Sequence, residues 1–407
     1  MCWSAIPYAW PSLFSKGNTN KVFFSPIPQM LPQDTKLGIF QPIIGSWYDS
    51  LSSAEGSQQR VLRELLSEYD KTDYGRSHLA SGINEIAEFR AKFPIIDYKG
   101  LEPYLAEVQR GNHGVILPEP LLCWVMTRGS TGPAKVLPAT KTHIEQILTC
   151  GARALVNYAL RRKDFSLLTG RILNLNFPSN VHTTTIDGRT ATYGYSSGTY
   201  ARLNPMLNKV SLLPRQEEID ALGPGISRHD WERRFELAYQ KGTDENVTAT
   251  MGVTPVILAF AKYVKRKHGK KPKELWNFKA LFCTSVRKIQ FRYAPVLRKY
   301  FGDVPVVEIY SATEGVFAQQ LDDLPYVTPN YDKYFFEVQT GQGTRMLHEL
   351  EKGEWGRLIV STCMFPRYDI GDIVEAVGKN YFRVVGRRNT RTLLEHRLYR
   401  LFFGWLI

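Results

Sequence analysis

The chain of 407 residues contains few cysteines and no cysteine motif. Its five cysteines are widely scattered, and none forms a C-x-x-C pair: Cys2, Cys123, Cys150, Cys283 and Cys363. An odd and scattered set excludes the regular framework of a disulfide-rich secreted domain and argues against a zinc site. We therefore expect a reducing compartment and a cytoplasmic location.

Long apolar runs are missing as well. No stretch approaches 18 consecutive apolar residues, so the sequence predicts no transmembrane helix. The first ten residues, MCWSAIPYAW, lack a basic segment followed by an apolar one, and we expect no signal peptide. Internal repeats and low-complexity tracts are also absent, so the remaining composition, 43% apolar and 22% charged, is that of a globular protein.

Acidic residues are outnumbered, and the formal net charge is +13. Seven Lys or Arg fall within residues 262–273, KYVKRKHGKKPK. Such a run could bind nucleic acid or an acidic membrane surface, although a solvated helix end is the simpler interpretation. No nucleic-acid-binding module accompanies the run, so we do not expect a nucleic-acid partner.

The hydrophobic pattern alternates between helices and strands. Residues 57–70 predict a helix, 71–79 a turn, and 121–126, 279–283 and 303–310 predict buried strands. This alternation indicates an α/β fold with mixed parallel sheets flanked by helices. From residue 334 onward, short strands separated by turns predict a smaller β-rich subdomain.

The same pattern divides the chain into four parts. We expect an irregular N-terminal segment at 1–35, a large α/β core at 36–333, a β-rich subdomain at 334–390, and a short tail at 391–407.

A glycine loop, TRGSTGPAK, follows the strand predicted at 121–126. Its backbone N–H groups and hydroxyls could donate to phosphate oxygens, and Lys135 adds a positive charge. The candidate residues are Thr127, Gly129, Ser130, Thr131, Gly132 and Lys135. The spacing does not meet the Walker pattern, and an ordinary surface turn remains the alternative. A helix is expected directly after the loop, because Thr142 and Glu145 have capping-box spacing.

A second cluster, EIYSATEG at 308–315, ends another predicted strand. Ligands of open α/β sheets collect at such strand ends. Tyr310 offers a face for stacking a base, Thr313 a hydroxyl, and Glu314 a hard carboxylate oxygen suited to Mg²⁺. The alternative is ordinary helix N-capping.

Two further motifs come later in the chain. In FPRYDIGD, Asp369 and Asp372 flank Gly371, and an aspartate in such a turn could accept both hydroxyls of a ribose. An Asx-turn is the simpler interpretation. In VVGRRNT, Arg387 follows a strand and could reach a nucleotide, with a surface arginine as the alternative.

The order of these four motifs resembles the adenylate-forming superfamily of acyl-CoA synthetases and luciferases. Three longer strings narrow the resemblance: VLRELLSEYDKTDYGRSH, EFRAKFPIIDYKGLEPYLAEVQRG and FPRYDIGD. They are similar to stretches of the auxin-responsive (Gretchen Hagen 3) family of acyl acid amido synthetases, over roughly residues 51–390. The loop departs from the family pattern, with Arg128 where a small residue is usual.

The resemblance implies an ATP-dependent ligase with Mg²⁺. A carboxylic acid would attack the α-phosphate of ATP to give an acyl-adenylate and pyrophosphate, and an amino acid or other amine would then displace AMP. Ser130, Thr131 and Lys135 would hold the β- and γ-phosphates. Thr313 would touch the α-phosphate or the acyl carboxylate, and Thr313 and Lys135 are the catalytic candidates. Glu314 would hold Mg²⁺.

The resemblance also implies which residues bind the adenosine end of ATP. Tyr310 would pack on adenine, Asp372 would bind the ribose, and Arg387 would lie nearby. Ser285 belongs to a segment, FCTSV, that occupies the place of a family stretch along adenine. Segments 192–203 and 251–261 are candidate walls for an apolar acid pocket, although plain helix core is as good an interpretation of the second.

The family carries a C-terminal lid domain, and here only 17 residues follow Thr390. We expect the lid to be missing, so a catalytically inactive module that binds a nucleotide or an acyl group is one alternative. Transfer of the acyl group to coenzyme A is another. A protein associated with nucleic acid through the basic run is a third.

Overall fold

The structure is a computed structural model that describes residues 38, 40–129, 134–186, 188–204, 211–389, 392–394 and 396. The segment predicted to be irregular, 1–35, lies outside the described residues, as does most of the predicted tail at 391–407.

Twelve α-helices are described in this part of the chain: α1 Gln41–Ser52, α2 Ala54–Tyr69, α3 Asp73–Ser77, α4 Ile86–Lys92, α5 Tyr98–Gln109, α6 Lys141–Arg162, α7 Ser166–Thr169, α8 Ser196–Leu203, α9 Gln216–Asp220, α10 Arg228–Gly242, α11 Thr254–His268 and α12 Ala294–Phe301. The described strands are β1 Cys123–Met126, β2 Val136–Ala139, β3 Arg171–Leu173, β4 His182–Ile186, β5 Arg189–Tyr193, β6 Leu212–Leu213, β7 Val247–Val253, β8 Ala280–Thr284, β9 Val306–Ala312, β10 Gly315–Gln319, β11 Thr328–Pro329, β12 Phe335–Thr340, β13 Gly343–Met346, β14 Trp355–Ser361, β15 Tyr368–Gly378 and β16 Tyr381–Arg387.

The larger sheet has seven strands in the order β11-β10-β9-β8-β7-β3-β6. From β6 to β9 the neighbours are parallel, whereas β10 and β11 run antiparallel at one edge. Parallel neighbours need crossover connections, and α11 and α12 provide them between β7, β8 and β9. The predicted α/β class is therefore confirmed.

The second sheet is antiparallel and has five strands in the order β13-β12-β14-β15-β16. Its strands fall within the region where the sequence predicts short strands. One large apolar core contacts both sheets and also α1, α2 and α6. The two sheets are thus packed together, which fixes the carboxyl end of β9 next to β15. The division at residue 334 stays a prediction.

Helix α2 has the predicted apolar face, with Val61, Leu65 and Tyr69 buried. The turn predicted at 71–79 is wrong, because residues 73–77 form the short helix α3. Thr72 caps it by accepting a hydrogen bond from the Gly75 N–H at 2.9 Å. A Cβ at Gly75 would lie 1.9 Å from the Tyr69 carbonyl oxygen, so only glycine fits this close approach.

A buried arginine on α6 ties three parts of the chain together. Arg153 forms an ion pair with Asp332 at 2.6 Å, and the two side chains are 0% and 2% exposed. The same guanidinium donates to the Asn330 side chain at 2.7 Å and to the Ile43 carbonyl of α1 at 2.9 Å. Because its donors have acceptors, the buried charge is compensated.

A second buried network joins strings that carry the family resemblance. Glu337 of β12 accepts from Arg90 of α4 at 2.8 Å and from Arg367 at 2.9 Å. Arg367 also donates to the Phe93 carbonyl at 2.7 Å. Next to it, Ile96 and Tyr368 form a parallel bridge, which holds the segment after α4 against the start of β15.

Breaking the Arg153–Asp332 ion pair tests how much it contributes to the free energy of unfolding. Arg153→Met leaves Asp332 buried and unpaired, so the free energy of unfolding should fall by about 3–5 kcal/mol in urea titrations. The double variant with Asp332→Asn should lose less than the sum of the two single variants. The exposed pair Arg60–Glu64 is the control, and Arg60→Met should cost under about 1 kcal/mol. Additive losses would contradict the assignment.

A partly buried carboxyl group on β9 should make stability depend on pH. Burial raises the pKa of Glu308 to about 7, from 4.5. The native state favours the protonated form of Glu308. The protonated group therefore contributes its full stability below pH 4.5, and that stability is lost as pH rises through 7. Glu308→Gln should therefore be more stable than the wild type by about 1–3 kcal/mol at pH 8, with little difference at pH 4.5. The exposed Glu102→Gln control should not change the pH profile.

Candidate active site

The glycine loop is closed at its base by two hydrogen bonds. The Thr127 N–H donates to the Lys135 carbonyl, and the Lys135 N–H donates to the Thr127 hydroxyl, both at 2.9 Å. Gly129 has φ +65°, a conformation that favours glycine. The predicted phosphate ligands Ser130, Thr131 and Gly132 lie outside the described residues.

The loop joins two strands, so the predicted order of strand, loop and helix is wrong. Strand β2 pairs antiparallel with β1 before α6 begins. The predicted capping box is wrong too, because the cap of α6 is Thr140, whose hydroxyl accepts from the His143 N–H. Thr142 is engaged elsewhere, with its N–H donating to Glu119 at 3.0 Å. Because β1 and β2 pair up to Met126 and Val136, the two ends of the loop lie side by side.

Lys135 faces the start of β15. Its Nζ lies 3.4 Å from the Tyr368 hydroxyl and 5.0 Å from the centroid of the Tyr98 ring. Both tyrosines come from the buried bridge region around Ile96 and Tyr368. The lysine is only partly buried, so its ammonium group can serve a ligand at this edge.

Thr313 and Glu314 form the turn between β9 and β10. They are 6% and 5% exposed. Because this turn joins two strands and no helix begins there, the helix-capping interpretation is excluded. The Tyr200 hydroxyl donates to the Thr313 carbonyl at 2.6 Å, and His143 lies 3.1 Å from the same hydroxyl. Burial lowers the pKa of His143 to about 4, so this ring is neutral and holds Tyr200 in place.

Asp372 links the two sheets. It accepts from the Tyr310 hydroxyl of β9 at 2.8 Å and lies 3.3 Å from Arg387 of β16. Burial raises the pKa of Asp372, and the neighbouring Arg387 and the Tyr310 hydroxyl oppose that rise. Burial raises the pKa of Tyr368, and the nearby Glu314 carboxylate adds to the effect. Glu314, Asp372 and Arg387 thus share one electrostatic environment.

The two aspartates of the FPRYDIGD motif have different roles. Asp369 forms the Asx-turn, accepting from the Gly371 N–H at 2.8 Å, and it pairs with Arg357 at 2.8 Å. Gly371 has φ +83°, as this tight turn requires. The turn interpretation is therefore right for Asp369, and it leaves Asp372 as the aspartate that faces Tyr310.

Ser285 follows β8, is exposed, and has φ +75°. The preceding Thr284 hydroxyl lies 2.7 Å from the Ser311 hydroxyl of β9. Ser285 is therefore at the carboxyl end of the parallel sheet, one strand away from Thr313. The structure brings Lys135, Tyr310, Thr313, Glu314, Asp372 and Arg387 to the same edge. Their assigned roles stay predictions.

Sequence reasoning missed three tyrosines that support the site. Tyr98, Tyr200 and Tyr368 contact the predicted residues through their rings or hydroxyls. Tyr98 and Tyr368 lie inside the strings that carry the family resemblance, and that position was the available signal. Tyr200 lies in the segment proposed as a pocket wall, although no motif marks it.

Two cavities of the described structure lie elsewhere. One of about 310 Å³ is lined by Val61, Gln146 and Cys363, and one of about 250 Å³ by Arg161, Arg298 and Asp323. Neither is lined by a predicted site residue. Among the described residues, no group of three or more His, Cys, Asp or Glu side chains is arranged to hold a metal ion.

One cation of the basic run is paired with a carboxylate of α10. Arg266 pairs with Glu232 at 2.7 Å, and His268 lies 3.0 Å from Glu236. In the part of the chain that is described, no helix is both long and apolar enough to cross a membrane.

A family model described as the GH3 family N-terminal domain matches residues 44–218. The indole-3-acetic acid-amido synthetase GH3.17 of Arabidopsis thaliana is 27% identical over 123 residues, 30% of this chain and 19% of that protein. The jasmonoyl-L-amino acid synthetase GH3.3 of Oryza sativa subsp. japonica is 28% identical over 141 residues, 34% of this chain and 30% of that protein. These matches span less than a third of either relative. The rice protein GH3.10 is 24% identical over 389 residues, 84% of this chain and 80% of that protein.

Two solved structures show the same fold. The GH3.15 acyl acid amido synthetase has a TM-score of 0.66 at 16% identity and covers 88% of this chain and 71% of that one. An open 2-hydroxyisobutyryl-CoA ligase has a TM-score of 0.56 at 13% identity and covers 82% of this chain and 74% of that one. The resemblance read from the motifs is confirmed: the chain is similar to the GH3 family N-terminal domain over residues 44–218, and it shares the fold of these two ligase structures.

Proposed function

We propose that this chain activates a carboxylic acid with ATP and transfers the acyl group to an amine. The observation that supports this best is the convergence of Lys135, Glu314, Asp372 and Arg387 at the carboxyl end of the parallel sheet. These residues are far apart in sequence, and each has the chemistry that one part of Mg·ATP requires.

The phosphate end would lie against the glycine loop. Its base is fixed by the two Thr127–Lys135 hydrogen bonds, and Gly129 allows the backbone to approach an anion closely. Lys135 would neutralise charge that develops on pyrophosphate as it leaves. Ser130, Thr131 and Gly132 keep their predicted role as phosphate donors.

Glu314 has the oxygen chemistry that Mg²⁺ prefers, and Mg²⁺ commonly takes only one or two carboxylates, with phosphates and water completing its shell. The described residues fit that pattern, because Glu314 is not part of a larger acidic cluster. The neighbouring Thr313 would position the α-phosphate or the acyl carboxylate. When bound, the ion would neutralise phosphate charge.

The adenosine end would lie against β9, β15 and the residues after β8. Asp372 would accept the ribose hydroxyls, and the neighbouring Arg387 opposes the rise in the pKa of Asp372 that burial causes. Tyr310 would pack on adenine and, through its hydroxyl, also orient Asp372. Ser285 would contact the base from the neighbouring strand.

Catalysis would consist of alignment and charge stabilisation. The acid carboxylate attacks the α-phosphorus, the bond to pyrophosphate breaks, and the acyl-adenylate forms. The amine then attacks the acyl carbon and AMP leaves. Amino acids are our proposed acceptors, since one similar protein is named a jasmonoyl-L-amino acid synthetase.

Ligand-dependent melting tests the nucleotide site. Mg·ATP at 100 times its dissociation constant should stabilise the wild type by about 2.7 kcal/mol, and Mg·GTP should do much less. Lys135→Ala, Glu314→Ala and Asp372→Ala should each lose most of this effect. The exposed Lys352→Ala and Glu351→Ala are matched controls.

Pyrophosphate release with a panel of acids then separates binding from turnover. Release that requires an acid supports the ligase. ATP binding without release from any acid supports the inactive module, and a folded wild type that ATP does not stabilise contradicts the ligase and leaves only an inactive module that binds an acyl group.

The Tyr310–Asp372 bond should also be visible without ligand. Tyr310→Phe removes a donor to a buried carboxylate and should lower the unfolding free energy by about 1–3 kcal/mol. The bond stabilises the charged form of Asp372, so the loss should be larger at pH 8 than at pH 4. Tyr326→Phe, a partly buried tyrosine outside the site, is the control. Equal losses at both pH values would refute the charge argument.

A further inference from the structure

Arg128 is a cation at the neck of the glycine loop with an unusual environment. Its guanidinium carbon lies 5.6 Å from the centroid of the Phe177 ring. The side chain is partly buried, and among the residues that the structure describes no carboxylate pairs with it. Burial lowers the pKa of Arg128, with no opposing contribution from a nearby acid.

An arginine in this position costs free energy in the ligand-free protein. Partial burial removes water from the charge, and a single ring face compensates only part of that loss. The other buried arginines named above have acceptors: Arg153 pairs with Asp332, and Arg367 with Glu337. Arg128 differs from them, and it retains in-plane N–H donors that suit a carboxylate.

The residues packed beside Arg128 are apolar and aromatic. Four buried residues form a small cluster, which we call the aromatic cluster: Met126, Phe177, Tyr195 and Val253. Trp231 and Val256 pack against it. The cluster joins the two segments proposed as pocket walls, since Tyr195 lies in 192–203 and Val253 in 251–261. Within the second segment, Ile257 and Phe260 are fully buried, as the core interpretation states for those two positions.

The two cations of the loop region face different surroundings. Lys135 faces Tyr98 and Tyr368, on the side of Asp372. Arg128 faces Phe177, which follows β3, and the cluster contains Val253, the last residue of β7. Both strand ends belong to the carboxyl edge of the parallel sheet, where ligands of such sheets bind. Lys135, the proposed phosphate ligand, and Arg128 therefore have separate surroundings.

We propose that Arg128, lying over Phe177 beside the aromatic cluster, binds the carboxylate of the acid substrate. This inference rests on the proposed ligase function. The guanidinium would hold the carboxylate by two N–H donors while apolar parts of the acid contact the cluster. When the acyl-adenylate forms, the carboxylate loses its charge, so Arg128 acts as a positioning residue for the unreacted acid.

The test measures binding without nucleotide. Thermal melting of the full chain is followed with sodium benzoate and sodium indole-3-acetate, and with their neutral amides benzamide and indole-3-acetamide. The wild type should be stabilised by at least one acid and not by its amide. Arg128→Met should weaken the apparent affinity for that acid at least tenfold, and Arg128→Lys should restore part of it.

The Mg·ATP arm separates this inference from the proposed function. Arg128→Met should keep the wild-type response to Mg·ATP, and without ligand it should melt at or above the wild-type temperature. In turnover the variant should raise KM for the acid more than it lowers kcat. If the methionine variant does not fold, Arg128→Gln takes its place.

Three results overturn the assignment. Unchanged acid binding in the variant would make Arg128 a structural contact to Phe177. Loss of the Mg·ATP response, as for Lys135→Ala, would make it a phosphate ligand. Failure of every acid to stabilise a wild type that Mg·ATP does stabilise would remove the carboxylate site and leave the nucleotide site standing.

Discussion

The hydrogen bond from Tyr310 to Asp372 is the constraint on which the site depends. It joins β9 of the parallel sheet to β15 of the antiparallel sheet at 2.8 Å, and both side chains are buried. A bond in such a low-dielectric setting is strong, and leaving it unmade is costly. The relative position of the sheets is thereby fixed where Glu314 and Arg387 also meet.

Much of the architecture was predictable because it follows local rules. Alternating apolar segments indicated the α/β fold, and β1, β8 and β9 lie within a few residues of their predicted positions. Two of the three local predictions that were wrong concern the segment after the glycine loop. Strand β2 is only four residues long and contains Pro138, so it has no clear strand pattern. Thr142 has capping-box spacing, but Glu119 takes its donors.

The candidate site was predictable in its motifs and not in its supporting contacts. Residues such as Glu314 and Asp372 have side chains whose chemistry points to a ligand even in isolation. Tyr200 carries no such signal, because its role comes from a carbonyl 113 residues away. Arg128 was visible as a departure from the family pattern, but only the structure shows that it lies over Phe177 with no carboxylate partner among the described residues.

The carboxylate of Glu337 serves two arginines from different parts of the chain, Arg90 and Arg367. Loss of this one side chain would leave two desolvated guanidinium groups without a counter-charge. Replacing either arginine alone would leave the glutamate with a partner. The three positions are therefore coupled unequally: replacing the glutamate should cost more stability than replacing either arginine alone.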